Sequence, residues 1–301
     1  MPILISGSMA FDNILAFNGR FADHILPQQV EKLSVSFLTP HMRSDYGGCA
    51  GNIAYAVKQL GGDPLLLATV GKDGGHYLER LREMEIDTGH VVMREDCYTA
   101  QCTIVTDENQ NQITAFHPGA MGLAHEHEVP ADASIALAIV SPNSKEAMQS
   151  HAKQLHAAGI PFVFDPGQAM PQFSADELQQ LIEQASWLAL NDYEAFLLSE
   201  RMGCDRAALS VQVRGMVVTL GEKGCEIWQE GDCQSIDPIT PAEVVDPTGC
   251  GDAWRGALLH GLQQGWDLLR CARLGNYMGA VKVAHRGPQN YRINADEVQT
   301  F

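Results

Sequence analysis

The chain has 301 residues, 45% of them apolar, and a formal net charge of −17. That length and apolar content suit one large α/β domain with a small appendage, or two modest domains, and exclude a disordered chain. The acidic balance argues against a nucleic-acid partner and against attachment to an anionic membrane.

Eight cysteines are scattered without a C-x-x-C pair. Their spacing offers no zinc site and fits a reducing compartment. The N-terminus lacks a basic region with a following apolar run, and no stretch is long enough to span a bilayer. The expected location is therefore cytoplasmic.

Ile3–Ser6 reads as a short buried strand ending in Gly7-Ser8, with Asp12 and Asn13 just beyond. Ligands of open α/β sheets bind outside the carboxyl ends of strands. Asp12 is thus placed to hold a pair of hydroxyls with its two acceptor oxygens, although a plain turn aspartate reads the same way. Leu33–Leu38 alternates apolar and small polar residues and is expected to be a half-exposed strand. Next comes Tyr46-Gly47-Gly48-Cys49-Ala50-Gly51-Asn52, opening a helix that Gly61-Gly62 stops. Gly47 and Gly48 permit close backbone contact with a ligand, and Asn52 offers both a donor and an acceptor. No Lys-Ser/Thr pair follows, so this is not a Walker A loop.

Leu65–Val70 is a buried strand, and Gly71-Lys72-Asp73-Gly74 turns structurally into a helix over 75–84. Thr103–Thr106 and Gln112–Phe116, joined by a polar stretch, form a hairpin. With Val35–Leu38 and parts of the first 20 residues it would build a small separate sheet. The rest of the chain alternates strand and helix, with strands at 135–140, 162–164, 187–190 and 216–220. That alternation argues for a parallel sheet covered by helices on both faces. Several polar groups follow these strands: Gln168 after Asp165-Pro166, Asn191 with Glu194 at a helix start, and the turn Thr219-Leu220-Gly221-Glu222-Lys223-Gly224. Asn191 and Glu194 have the spacing of a capping box.

The organising stretch is Asp246-Pro247-Thr248-Gly249-Cys250-Gly251-Asp252, running into the helix that begins Ala253-Trp254-Arg255. Pro247 fixes the backbone ahead of the helix, Thr248 is a candidate cap, and Gly249 and Gly251 let the main chain approach a ligand. The unpaired amides of a helix start favour an anion, above all a phosphate. Asp252 beside that site is costly unless it accepts a proton from an attacking hydroxyl. A second apolar helix, 272–284, contains Asn276 and stops at His285-Arg286-Gly287-Pro288-Gln289.

The stretch at 246–252 resembles the late signature of the ribokinase-like (PfkB) carbohydrate and nucleoside kinases, close to D-T-x-G-A-G-D. Gly47-Gly48 with Asn52 resembles the family's first signature, and Asn191-Asp192-Tyr193-Glu194 its N-x-x-E pattern. Gly7-Ser8 with Asp12, Gly19-Arg20-Phe21, Leu33–Leu38 and Phe116–Met121 look closest to bacterial adenosine kinases. The resemblance implies a three-layer α/β sandwich with a mainly parallel central sheet. It implies one domain over 1–301 with a β-sheet lid from segments about 12–20, 33–44 and 97–118.

The implied reaction transfers the γ-phosphate of ATP to the 5′-hydroxyl of adenosine. The alternatives are a sugar kinase of the same family, acting on ribose or a related sugar, and a broader purine nucleoside kinase. Asp252 would be the base, with the amides of Gly249, Cys250 and Gly251 stabilising the transferring phosphate. Ser8, Asp12, Gly47, Gly48, Asn52, Phe116 and Gln168 would hold the nucleoside. Asn191, Thr219, Gly221, Gly224 and Asn276 would hold the nucleotide, and Glu194 would reach Mg2+ through water. A monovalent cation such as K+ would sit on backbone carbonyls of the 285–289 loop and the segment before Asp246. A homodimer would form through the lid. One departure stands out: where such kinases often place a second lid aromatic, this chain has Gln101-Cys102. No G-x-G-x-x-G follows the first strand, against a dinucleotide-dependent oxidoreductase.

Overall fold

The computed structural model describes residues 1–25, 34–109, 111–131, 134–298 and 301. Its strands are β1 (Ile3–Ser6), β2 (Ala10–Ala16), β3 (His41–Gly47), β4 (Pro64–Gly71), β5 (Val91–Arg94), β6 (Ala100–Thr106), β7 (Gln112–His117), β8 (Leu137–Val140), β9 (Phe162–Phe164), β10 (Trp187–Asn191), β11 (Gly215–Thr219), β12 (Cys225–Gln229) and β13 (Asp232–Ile236). The helices are α1 (Cys49–Gln59), α2 (Gly75–Glu83), α3 (Lys145–Ala157), α4 (Ala175–Gln184), α5 (Asp192–Met202), α6 (Arg206–Ser210), α7 (Cys250–Gln263), α8 (Leu268–Val283) and α9 (Ala295–Val298).

Nine strands form one sheet in the order β13-β12-β11-β10-β9-β8-β1-β4-β5. From β11 to β5 every pairing is parallel, and β12 and β13 close one edge as an antiparallel hairpin. The sheet is buried on both faces, as a parallel sheet requires. Ile3 and Ile5 of β1 point into a core shared with α1, α2, α7 and α8. Leu4 points the other way, into a core shared with α3, α4, α5 and α6. The sandwich expected from the strand–helix alternation is therefore present. Among the described residues no helix is long and apolar enough to cross a membrane.

The second sheet has four strands in the order β3-β2-β6-β7. The hairpin expected around 103–116 is β6 and β7. Two expectations are corrected here. Residues 34–38 are not a strand (Leu33 lies outside the described residues); the strand falls at His41–Gly47 instead. The alternation at 33–38 marked an apolar contact rather than sheet pairing, for Phe37 packs against Phe17 and Phe21. Asp12 does not lie in a loop beyond β1 but within β2, facing Asp45 on one side and Cys102 on the other.

Helix α7 is held close to α1. A Cβ built at Gly256 would come within 2.4 Å of the Ala56 Cβ and 3.3 Å of the α1 backbone. Alanine at 256 gains helix propensity, but it must push two helices apart. Gly256→Ala should therefore lower stability by roughly 1–3 kcal/mol, measured by urea denaturation. An unchanged midpoint would show that the helices do not need this close approach.

Candidate active site

A cavity of about 830 Å³ opens between the two sheets. Its floor is built from residues at or just past the carboxyl ends of successive parallel strands: Ser8 after β1, Asn143 after β8, Asp165 after β9, Asn191 ending β10 and Thr219 ending β11. The chain runs outward from β1 through β4 in one direction and through β8 in the other. Ser8 and Asn143 thus sit at the point where strand order reverses, the usual ligand position in such sheets.

The first turn of α7 enters this cavity. Gly249 caps it with φ +80°, a conformation a side chain would resist, and a Cβ there would meet Pro288 at 2.5 Å. Thr248, expected as the cap, makes no capping bond. Its own N–H donates to Asp246 Oδ1 at 3.0 Å, so Asp246 shapes the turn. Asp246 also accepts from the Gly287 N–H at 3.0 Å and from Arg43 of β3 at 2.8 Å. Burial alone would raise this carboxyl, but those bonds hold it well below the usual carboxylate range. Cys250 is a further correction. It is absent from the cavity wall, and its amide donates to Pro247 O at 3.1 Å. Thr248, Gly249, Gly251 and Asp252 are the residues of this turn that line the cavity.

Asp252 accepts from Asn52 Nδ2 at 2.8 Å. Asn52 in turn accepts at Oδ1 from Gln289 Nε2 at 3.0 Å, and the same Gln289 nitrogen lies 2.6 Å from the Tyr77 hydroxyl. Tyr77 donates to Gly47 O at 2.8 Å. Asn52 is therefore committed at both ends of its amide, which makes it first a holder of Asp252. Gly47 stands behind Asp12, where a Cβ would meet Asp12 Oδ2 at 2.2 Å, and does not line the cavity. Asp12 does. Burial, followed by the charge of Asp252, pushes the Asp12 carboxyl up to about 6. Burial likewise lifts Asp252 to about 6, against the Asn52 hydrogen bond and the Arg255 charge.

The smaller sheet supplies the opposite wall. Asp12, Cys102 and Phe116 are register partners across β2, β6 and β7, so they share the face turned to the cavity. Phe116 is 53% exposed, which leaves its ring free to cover a flat ligand. Gln101 faces away and donates to Asp73, the residue that also takes the Thr99 N–H and hydroxyl. Asp73 is structural, as its turn suggested.

Ser8, Gly48, Gln168, Asn191, Glu194, Thr219 and Gly221 all line the cavity. Ser8 Oγ accepts from the Cys49 N–H at 3.1 Å, satisfying the first amide of α1. Asn191 and Glu194 form the complete capping box. Gly224 and Asn276 do not line the cavity. Gly224 packs against the backbone after β13. Asn276 accepts from Trp254 Nε1 and donates to Asp237 O, tying α8 to α7 and to the segment after β13.

Three functional residues escaped the sequence. Arg255 is buried one turn after Asp252 and pairs with buried Asp165. Its Nη2 donates to Asp165 Oδ1 at 2.8 Å and lies 3.6 Å from Glu194 Oε2. Gln289 and Asp165 are the other two. The only available signal for Arg255 was a charge at a helix position whose neighbours on both sides are apolar. Among the described residues no group of three or more His, Cys, Asp or Glu could cage a metal. The Glu194 carboxylate lies at the cavity wall.

Residues 19–294 match the pfkB family carbohydrate kinase description. A curated nucleoside kinase of Methanocaldococcus jannaschii is 30% identical over 268 residues, covering 88% of each chain. A Burkholderia thailandensis nucleoside kinase solved in complex with inosine superposes with a TM-score of 0.90 at 43% identity, covering 99% of this chain and 96% of that one. The same kinase in complex with ADP-inosine gives 0.87 at 44% identity, covering 99% and 94%.

Removing one member of a buried ion pair strands the other charge. Arg255→Met should cost about 3–5 kcal/mol, measured by urea denaturation, and adding Asp165→Asn should recover much of it. Equal stability of wild type and Arg255→Met would show that the pair is not held dry.

Proposed function

The chain belongs to the pfkB carbohydrate kinase family and is a phosphotransferase acting on an alcohol group, and from that premise we propose that it transfers the γ-phosphoryl group of ATP to the 5′-hydroxyl of a purine nucleoside, adenosine first. One observation carries this reading: the half-buried Asp252 carboxylate, held by Asn52 at 2.8 Å, stands where the first turn of α7 and Asp12 face the same cavity.

The acceptor hydroxyl loses its proton to Asp252 as its oxygen bonds to phosphorus and the bond to ADP breaks. The amides of Gly249 and Gly251, at the positive end of α7, stabilise the charge on the transferring group. Cys250 serves that turn through its bond to Pro247 rather than through the phosphate. Asp12 grips ribose hydroxyls, with Asn52 and Gly48 beside it. Magnesium neutralises the nucleotide phosphates when bound, and Glu194 lies at that wall. With a net charge of −17 the protein repels its anionic substrate at long range, so helix end and metal must hold it locally. The smaller sheet, as a lid over the acceptor, would keep water from taking the phosphoryl group. Its exposed Met42 and Ile113 suit the expected contact with a second copy.

A broader purine specificity is favoured by a particular feature. Cys102, beside Phe116 on the cavity face of the smaller sheet, offers no second ring for the base, and the Burkholderia thailandensis relative was solved with inosine. Assays of adenosine, inosine, guanosine, cytidine and ribose with ATP and magnesium separate the readings. Turnover of ribose alone would sink the nucleoside assignment.

Asp252→Asn should lower kcat by roughly 10²–10⁴-fold while nucleoside binding, followed by calorimetry, is retained. In the wild type kcat/KM should fall as pH drops through about 6, where the base becomes protonated. The sign for stability is opposite. A carboxyl raised from 3.8 to about 6 is held most favourably when protonated. Its contribution is complete below 3.8 and lost as pH rises through about 6. Asp252→Asn should therefore melt higher than wild type at neutral pH, and this advantage should vanish in acid.

A further inference from the structure

Lys282 is a fully buried charge that the chemistry above does not use. It lies in the last turn of α8 and is 0% exposed. Its ammonium donates to Asp246 O at 2.7 Å and to His285 O at 2.9 Å. Burying an ammonium is costly, so carbonyls must be aimed at it, and the helix C-terminus adds a favourable dipole. Both segments that supply these carbonyls meet the phosphate turn. Asp246 begins that turn, and the loop after His285 donates the Gly287 N–H to the Asp246 side chain and packs Pro288 against Gly249. The N–H groups of Val245 and Asp246 both donate to Val283 O, next to Lys282.

The family resemblance leads to a monovalent cation on backbone carbonyls of these same two segments. The residues do not fit it. Two of the carbonyl oxygens already accept from an ammonium, whose size and charge are close to those of potassium. A second cation beside it would be repelled.

We propose that Lys282 is a built-in replacement for the monovalent cation, a positioning residue that supplies fixed positive charge beneath the phosphate-binding turn and makes phosphoryl transfer independent of added potassium. This rests on the kinase reading above, and its test fails separately from that reading. Wild-type activity should be the same in choline, sodium and potassium salts at equal ionic strength. Its melting temperature should not respond to potassium beyond the response to choline. Lys282→Met should lose kcat/KM by about tenfold or more in choline. Potassium or ammonium should restore part of that loss and raise the variant's melting temperature, which a merely structural lysine would not allow.

Strong potassium stimulation of the wild type would overturn the proposal. So would a folded Lys282→Met that keeps full activity in choline, or one whose loss neither cation relieves. If Lys282→Met does not fold, the wild-type salt series still decides. If no acceptor is phosphorylated in any salt, the kinase reading fails instead, and a potassium-dependent rise in the wild-type melting temperature would still count against Lys282.

Discussion

Everything in the cavity depends on the contact between α1 and α7. Gly256 lets the two helices approach until Asn52 on one reaches Asp252 on the other. The hydrogen bond fixes the carboxylate in one orientation, and Gln289 and Tyr77 fix Asn52 from behind. Without that close packing the amides at the start of α7 would still attract an anion, but the acid beside them would have no defined position.

The cavity gathers negative charge that is costly to hold away from water without a cation among it. Asp12, Asp165, Glu194 and Asp252 face one space, and Arg255 is the buried cation among them. Arg255 neutralises Asp165 directly and draws the Asp252 carboxyl down against the pull of burial. Burial raises all four carboxyls; Arg255 opposes that rise at Asp165, Glu194 and Asp252, whereas Arg43 opposes it at Asp12. Unequal environments let similar carboxylates do different work. On the other side of the turn, Arg43 and Lys282 bind Asp246 through its side chain and its carbonyl. The turn is therefore braced by cations from β3 and α8, two elements far apart in sequence.

Local patterns were legible because they involve residues within a turn of one another. The glycine-rich turn before α7, the box of Asn191 with Glu194 and the parallel strands all emerged where residue spacing put them. Misreadings arose where two patterns look alike locally. The alternation at 33–38 has a strand's period, but Phe37 joins an aromatic cluster instead of a ladder. Thr248 has a capping side chain, yet Asp246 reaches the turn first. The hairpin of β12 and β13 turns through Glu230 and Gly231, both at positive φ. Glutamate is a poor marker for that geometry, so no turn signal was available.

The sequence by itself determined the α/β class, the helix start that favours a phosphate, and the identity of the acid beside it, since each follows from a few adjacent residues. Only the tertiary structure decided what that acid touches. Asn52 and Asp252 are 200 positions apart, and Asn52 and Gln289 are 237 apart. No periodicity or spacing rule links such residues; their meeting is set by how α1, α7 and the loop after α8 pack against one sheet. The burial of Arg255 and Lys282 was hidden for the same reason, because a charged side chain looks exposed until the fold supplies its partners.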